Sequence, residues 1–204
     1  MAKVQVIFYS MYGHVFQLAE AVAQGASAVS GTQVDMYRVA ELVPEEALRK
    51  AGAWEAQQAF AHIPLAKTEQ LPEADAIIIG TPTRFGNMAA QMRNFWDQTG
   101  GLWMKGALVG KLAASFVATG TQHGGQETTH TSIWNTFAHH GMLIVPLGYA
   151  EPKVLNMGEI TGGGPYGAGT MSDVNGSRMP SENELAIART QGQRLAELSA
   201  KLFA

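Results

Sequence analysis

The turn after the first apolar run carries residues that could bind an anion. It reads Ser10-Met11-Tyr12-Gly13-His14, and it lies between the apolar run 3–9 and the helical pattern 15–29. The first N–H groups of a helix lack partners within it, and the helix dipole adds partial positive charge there. The turn holds neither Lys nor Arg. It therefore predicts a phosphate that N–H groups and hydroxyls bind and keep, rather than one that is transferred.

Three residues of this turn also have simpler interpretations. Ser10 can cap the following helix, since Ser is a preferred N-cap residue. Gly13 can serve the tight turn alone, although close approach of an anion needs the same backbone freedom. His14 can be a solvated residue at the start of a helix, and we favour a contribution from its backbone.

Two further loops resemble the first in composition. The loop Thr81-Pro82-Thr83-Arg84-Phe85-Gly86-Asn87-Met88 follows the third apolar run, and Thr119-Gly120-Thr121-Gln122-His123-Gly124-Gly125 follows the fourth. Ligands of open parallel sheets bind at the carboxyl ends of the strands, where these loops would meet. The chain has no Walker P-loop, and the first turn has no Gly-x-Gly-x-x-Gly dinucleotide motif. The three loops together favour a phosphorylated, planar mononucleotide such as FMN.

Aromatic and histidine residues offer the other candidates. Phe85 is either a core residue or a wall for a flat ring, and Arg84 is either a surface charge or a group that stacks on that ring. Trp103 fits a subunit contact as well as a substrate pocket. His139 and His140 do not indicate a metal, because adjacent helical residues point about 100° apart and no HExxH pattern accompanies them.

Alternating strand and helix patterns must position these loops. Continuous apolar runs predict strands buried on both faces of a sheet, over 3–9, 33–39, 75–80, 112–117 and 142–148. Helical patterns occupy 15–29, 89–96, 127–139 and 181–203. Ser181 and Glu184 form the sequence signature of a capping box at the start of the last helix. The alternation predicts an α/β fold, a doubly wound five-stranded parallel sheet with helices on both faces.

We expect a single domain over residues 1–204. Two segments are insertions relative to the minimal five-strand pattern. The insertion 41–71 is expected to hold a helix with Pro44 at its N1 position. The insertion 151–180 is rich in Gly, and long connections without secondary structure are usually functional or disordered.

Composition excludes several classes of function. The net charge of −3 leaves no broad basic face for a nucleic acid, and the absence of Cys rules out disulfides and thiolate metal sites. No segment has the pattern of a signal peptide or of a membrane span. We expect a soluble, cytoplasmic protein that binds neither nucleic acid nor membrane. The charged fraction of 15% is low enough to make a buried surface between subunits plausible.

Long motifs along the chain resemble one family. They are the loops at 10–14 and 80–88 and the segments Asp97-Gln98-Thr99-Gly100-Gly101-Leu102-Trp103 and Ala138-His139-His140-Gly141, and the segments 164–168 and 176–178 look similar too. These segments closely resemble the WrbA-type NAD(P)H:quinone oxidoreductases, which are flavodoxin-like proteins that bind FMN. The resemblance runs from the first strand to the last helix. It implies a two-electron quinone reductase, usually a homotetramer, whose active site lies near a subunit contact.

The resemblance also assigns roles by position. It implies that the FMN phosphate binds at residues 10–15 (Ser10, Met11, Tyr12, Gly13, His14 and Val15) and that the flavin ring lies against Thr83, Arg84 and Phe85. A further flavin wall would come from Ala118, Thr119, Gly120, Thr121, Gly124 and Gly125, with His139 nearby. Tyr12 would meet NAD(P)H and Trp103 would line the quinone pocket, and no side chain acts as a nucleophile. Gln122-His123 looks like a one-residue insertion relative to the family, and no role is transferred to residues 53–66.

Two other functions are compatible with an FMN site. The first is a one-electron carrier, as simple flavodoxins are, although the mild net charge and the nearby His favour a hydride-transferring enzyme. The second is a binding or regulatory protein that uses FMN only to assemble.

Overall fold

A parallel sheet forms the centre of the molecule in the computed structural model, which describes residues 1–149 and 151–203. Its strands are β1 (Ala2–Phe8), β2 (Thr32–Arg38), β3 (Ala76–Arg84), β4 (Asn87–Met88), β5 (Leu112–Thr119), β6 (Leu143–Ile144) and β7 (Gly169–Met171). Five of them follow the order β2-β1-β3-β5-β6, all parallel. This confirms the flavodoxin-like, doubly wound parallel sheet expected from the sequence.

The sheet has seven strands rather than five. Strand β4 pairs antiparallel with the end of β3, and β7 pairs parallel with the end of β5. Both are two or three residues long, which is too short for an apolar period to reveal. The fifth predicted strand, 142–148, is also shorter than expected, because only Leu143 and Ile144 pair with β5.

Helices cover both faces of the sheet, as predicted. They are α1 (His14–Ser27), α2 (Glu45–Lys50), α3 (Trp54–Gln58), α4 (Ala90–Asp97), α5 (Gly100–Met104), α6 (Gln126–His139) and α7 (Glu182–Phe203). Alternate side chains of β3 point to opposite faces: Ile78 packs in the core beneath α1 and α7, whereas Ile77 and Ile79 pack in the core beneath α4 and α6. The continuous apolar run is thus explained by two cores that share one strand.

Helices α1 and α7 touch backbone to backbone. A Cβ atom at Gly25 would collide with the backbone of Arg189, and one at Gly192 would collide with the backbone of Val22. These two glycines therefore set how closely the first and last helices can pack.

The first insertion is held by a half-buried carboxylate. Glu41 accepts hydrogen bonds from the Tyr9 hydroxyl (2.8 Å), from Gln57 (2.7 Å) and from Gln91 (2.6 Å). The insertion contains α2, α3 and a 3₁₀ helix over Thr68–Glu73. Pro44 is the N-cap of α2 rather than its N1 residue, because its ψ of 143° is not helical.

The second insertion contains a 3₁₀ helix, Pro152–Leu155, and strand β7. Across residues 1–149 and 151–203, no helix is both long enough and apolar enough to span a bilayer.

Candidate functional site

The three loops singled out from the sequence meet at the carboxyl ends of β1, β3 and β5. They line a cavity of about 260 Å³, which we call the first cavity. Predicted site residues in its wall are Ser10, Met11, Tyr12, His14, Val15, Thr83, Arg84, Ala118, Thr119 and Gly120. Residues more than a hundred positions apart in the chain thus form one concave surface.

The start of α1 is suited to an anion. Gly13 is the N-cap residue and adopts a left-handed conformation with φ 92°, and no side chain caps the helix. The first hydrogen bond within the helix runs from the N–H of Gln17 to the carbonyl of Gly13. The N–H groups of the first turn are therefore available to a bound phosphate.

Ser10 does not cap α1. Its hydroxyl oxygen accepts a hydrogen bond from the Gly13 N–H at 3.1 Å and closes the turn. The hydroxyl proton remains free to donate toward the cavity. This geometry disfavours the simpler interpretation in which Ser10 serves only as the helix cap.

His14 is buried at the base of the first cavity. Its Nε2 atom lies 3.1 Å from the carbonyl oxygen of Gly176. Burial lowers the pKa of His14 below its usual value, so the neutral imidazole is favoured at neutral pH. The positive potential at this end of the cavity therefore comes from backbone N–H groups and the helix dipole.

The loop after β3 contributes a polar edge. Arg84 donates to the carbonyl of Thr83 at 2.8 Å and contacts the Met11 sulfur at 3.4 Å. The Thr83 hydroxyl lies 2.7 Å from the hydroxyl of Thr129 in α6. The guanidinium is thereby held across the first and second loops, where it can face a planar ring.

Phe85 is fully exposed and outside the first cavity. It has φ 53° and is followed by Gly86 with φ 78°, so both residues of the turn between β3 and β4 have positive φ. Such conformations suit a tight hairpin and are uncommon for an aromatic residue. The hairpin therefore presents the Phe85 ring to solvent, and the alternative that Phe85 is a core residue is excluded.

The loop after β5 separates two cavities. Thr119 and Gly120 line the first cavity, whereas Gly125, with Gln122 and His123, lines another of about 290 Å³. Thr121 and Gly124 line neither cavity and are joined by a hydrogen bond from the Gly124 N–H to the Thr121 carbonyl at 3.2 Å.

Trp103 and His139 lie together in a separate cavity of about 540 Å³, which we call the second cavity. Trp103 is 52% exposed. His140 also lines this cavity but is buried, and its Nε2 atom lies 2.9 Å from the Thr99 hydroxyl. The two adjacent histidines thus have different environments, and no set of three or more His, Asp or Glu side chains in the described ranges is arranged to hold a metal ion.

The second insertion supplies wall residues that the sequence did not identify. Residues 172–176 line the first cavity, and so does Ala51 of the first insertion. The signals available were the Gly-rich composition of 151–180 and the resemblance at 176–178. Neither could place the segment beside His14, which precedes it by 162 residues.

Comparisons with known proteins agree with this geometry. The family model for the NADPH-dependent FMN reductases matches residues 10–153. A protein of Aromatoleum aromaticum named NAD(P)H dehydrogenase (quinone) is 62% identical over 98% of this chain and 97% of its own length. A protein of Trichlorobacter lovleyi with the same name is 60% identical over the full length of both chains.

Solved structures have the same fold. A WrbA-like flavodoxin from Agrobacterium tumefaciens superposes with a TM-score of 0.68 at 25% identity, over 98% of this chain and 99% of that one. Flavodoxin 1 from Bacillus cereus superposes over both full chains with a TM-score of 0.61 at 15% identity. The family-model match over residues 10–153 and the full-length identity to these relatives show that this chain belongs to the NADPH-dependent FMN reductase family, with relatives named NAD(P)H dehydrogenase (quinone).

Proposed function

We propose that this protein is an FMN-dependent NAD(P)H:quinone oxidoreductase. The observation that carries the proposal is the first cavity, where an uncapped helix start and two polar loops meet at the carboxyl ends of adjacent parallel strands. The full-length relatives named NAD(P)H dehydrogenase (quinone) support the same reaction class.

The residues of the first cavity fit FMN. Ser10 and the N–H groups at the start of α1 would hold the phosphate, and Thr83 with Arg84 would lie along the ring. Donors of the loop 118–125 would face the polar edge of the ring and stabilise negative charge there. When bound, FMN supplies the two-electron hydride chemistry, and the chain supplies binding, orientation and electrostatics. No side chain is assigned a catalytic role.

Substrate contacts are proposed on exposed side chains. Tyr12 lines the first cavity and is partly exposed, which suits contact with the nicotinamide of NAD(P)H. In the second cavity, Trp103 is proposed to line the quinone pocket and His139 is proposed to lie near the flavin. Phe85 would add an aromatic wall from its hairpin.

We further propose a homotetramer of single-domain chains that works in the cytoplasm. Trp103, Met104, Val109 and Leu143 are large apolar residues that are at least half exposed. Large exposed apolar patches mark interaction sites more often than free surface. Association of four chains would cover them and could bring the second cavity of one subunit to the first cavity of another.

The visible spectrum of the purified protein tests the reaction. We expect two flavin absorption bands that disappear on addition of NADH or NADPH and return on addition of benzoquinone. A protein that stays colourless after incubation with FMN would overturn the proposal. An air-stable neutral semiquinone during reduction would instead indicate a one-electron carrier, and bound flavin that neither NADH nor NADPH bleaches would indicate a binding or regulatory protein.

A further inference from the structure

A fully buried carboxylate organises the second insertion. Glu184 lies in the first turn of α7 and is 0% exposed. It accepts hydrogen bonds from the N–H of Ser181 (2.8 Å), the N–H of Gly162 (2.8 Å), the hydroxyl of Thr170 (2.8 Å) and the guanidinium of Arg178 (2.9 Å). A buried charge is costly unless it is paired and hydrogen-bonded. Gly162, Thr170 and Arg178 belong to separate stretches of the insertion, so the carboxylate holds those stretches together against the start of α7.

Arg178 closes the loop 172–178 at its base. Its Nη1 atom donates to the carbonyl of Met171 at 2.6 Å, and its Nη2 atom donates to the carbonyl of Ile160 at 2.8 Å. Its backbone N–H donates to the carbonyl of Ser172 at 3.0 Å. The planar guanidinium therefore bridges Glu184 and two backbone segments at once, which a lysine could not do.

The closed loop rests on two elements of the first cavity. The Ser172 N–H donates to the carbonyl of Thr119 at 2.8 Å, at the end of β5. The carbonyl of Gly176 lies 3.1 Å from Nε2 of His14, at the start of α1. The loop thus spans from the end of β5 to the helix start that is proposed to hold the phosphate.

We propose that Arg178 and Glu184 are positioning residues for the phosphate end of the FMN site. Neither residue lines the first cavity, and both act through the loop 172–178. By fixing that loop, the pair sets the wall beside the start of α1 and orients His14. This inference depends on the proposed FMN site.

The test compares FMN with riboflavin, which has the same ring and lacks the phosphate. The flavin-free full-length chain is titrated with each compound, and the quenching of flavin fluorescence gives the two dissociation constants. Arg178→Met is expected to raise the Kd for FMN by about tenfold, on the order expected for one misplaced hydrogen-bonded contact. The Kd for riboflavin is expected to change less than about twofold by the same argument, because the ring contacts remain.

Two further variants separate positioning from general stability. Leu195→Ala removes a buried side chain eleven residues further along α7, about 16 Å from Glu184. It should lower the Tm of the flavin-free chain but leave the ratio of the two dissociation constants as in the wild type. Arg178→Lys keeps the charge opposite Glu184 and should recover part of the FMN preference.

The outcomes are distinct. If the wild type binds no FMN, the proposed function fails. If the wild type prefers FMN to riboflavin and Arg178→Met keeps that preference, the positioning role is wrong. The same holds if Arg178→Met weakens the binding of FMN and of riboflavin by equal factors. Glu184→Gln keeps the size of the side chain and is judged by the same ratio, so a poorly folded Arg178→Met chain does not remove the test.

Discussion

The hydroxyl oxygen of Ser10 accepts a hydrogen bond from the N–H of Gly13 at 3.1 Å. This bond stabilises the left-handed conformation of Gly13 and places it, rather than Ser10, at the N-cap of α1. A side-chain cap would use one of the N–H groups that an anion needs. The turn between β1 and α1 is therefore closed from within, and the first turn of the helix stays available to a ligand.

Gly13→Ala is expected to weaken FMN binding. An added Cβ atom would meet nothing within 4 Å, so the cost comes from the left-handed backbone, about 1–2 kcal/mol for a residue with a side chain. Relaxation of that strain would move the N–H groups of α1, and the Kd for FMN should rise by about tenfold. Fluorescence titration of the flavin-free protein with FMN measures this Kd.

Gly31→Ala is the matched control for this change. Gly31 has φ 76° and equally open surroundings, but it lies at the opposite end of the sheet. It should lower stability by a similar amount and leave FMN binding unchanged. If both variants bind FMN like the wild type, the helix start is not the phosphate site.

Trp103→Ala is expected to impair quinone turnover more than FMN retention. The indole lies in the second cavity and contributes nothing to the first. The KM for benzoquinone should rise by about tenfold, as expected for a lost aromatic contact of about 1–1.5 kcal/mol. Steady-state kinetics with NADH give the KM for benzoquinone, and a flavin titration gives the Kd for FMN.

Met157→Ala is the control for Trp103, because Met157 is also an exposed apolar residue and lines neither cavity. It should leave the KM for benzoquinone unchanged. Equal losses of quinone turnover and FMN binding in Trp103→Ala would indicate a structural role. Sedimentation velocity would then show whether the variant has lost a subunit contact.

His130 is expected to make the fold sensitive to acid. Its Nδ1 atom lies 2.8 Å from the Ser115 hydroxyl, and burial lowers the pKa of His130 to about 3. An unfolded histidine titrates near about 6.5, so between these values the unfolded chain binds more protons. This residue's contribution is therefore constant above about pH 6.5 and falls by about 1.4 kcal/mol per pH unit as the pH drops below it.

Urea unfolding of the wild type and of His130→Gln from pH 7 to pH 5 checks this dependence. The variant keeps a polar partner for Ser115 but has no titrating ring. Its free energy of unfolding should therefore fall less steeply with decreasing pH than that of the wild type, by the slope that one bound proton contributes. Ile133→Val, another buried position of α6, should lower the free energy of unfolding by about 1 kcal/mol at every pH. If the free energy of unfolding of His130→Gln depends on pH as steeply as that of the wild type, His130 is not the group responsible for the acid sensitivity.

The capping box at α7 should contribute measurably to stability. The Ser181 hydroxyl accepts from the N–H of Glu184 at 3.3 Å, and the carboxylate accepts in return from the N–H of Ser181 at 2.8 Å. Ser181→Ala should lower the free energy of unfolding by about 1 kcal/mol. Ser181→Thr keeps the hydroxyl and should lower the free energy of unfolding by no more than about half of that amount. If the two variants lose equal stability, the hydroxyl does not cap α7.

The main local features follow from the sequence. The apolar runs marked the main strands of the sheet, and Ser181 with Glu184 marked the start of α7. These features follow from periods of two and 3.6 residues and from hydrogen bonds within one helical turn. Strands β4 and β7 were missed because a pairing of two or three residues leaves no period to detect.

The sequence alone determined the main strands and helices and which turn could accept an anion, because those properties depend on neighbouring residues. Only the tertiary structure decided which distant groups share a cavity. It placed Gly176 against His14, separated Trp103 and His139 from the first loop, and gave Glu184 the guanidinium of Arg178 as a partner. Such contacts arise from the packing of α1, α7 and the second insertion against one sheet, and no local pattern encodes the distance between residues so far apart in the chain.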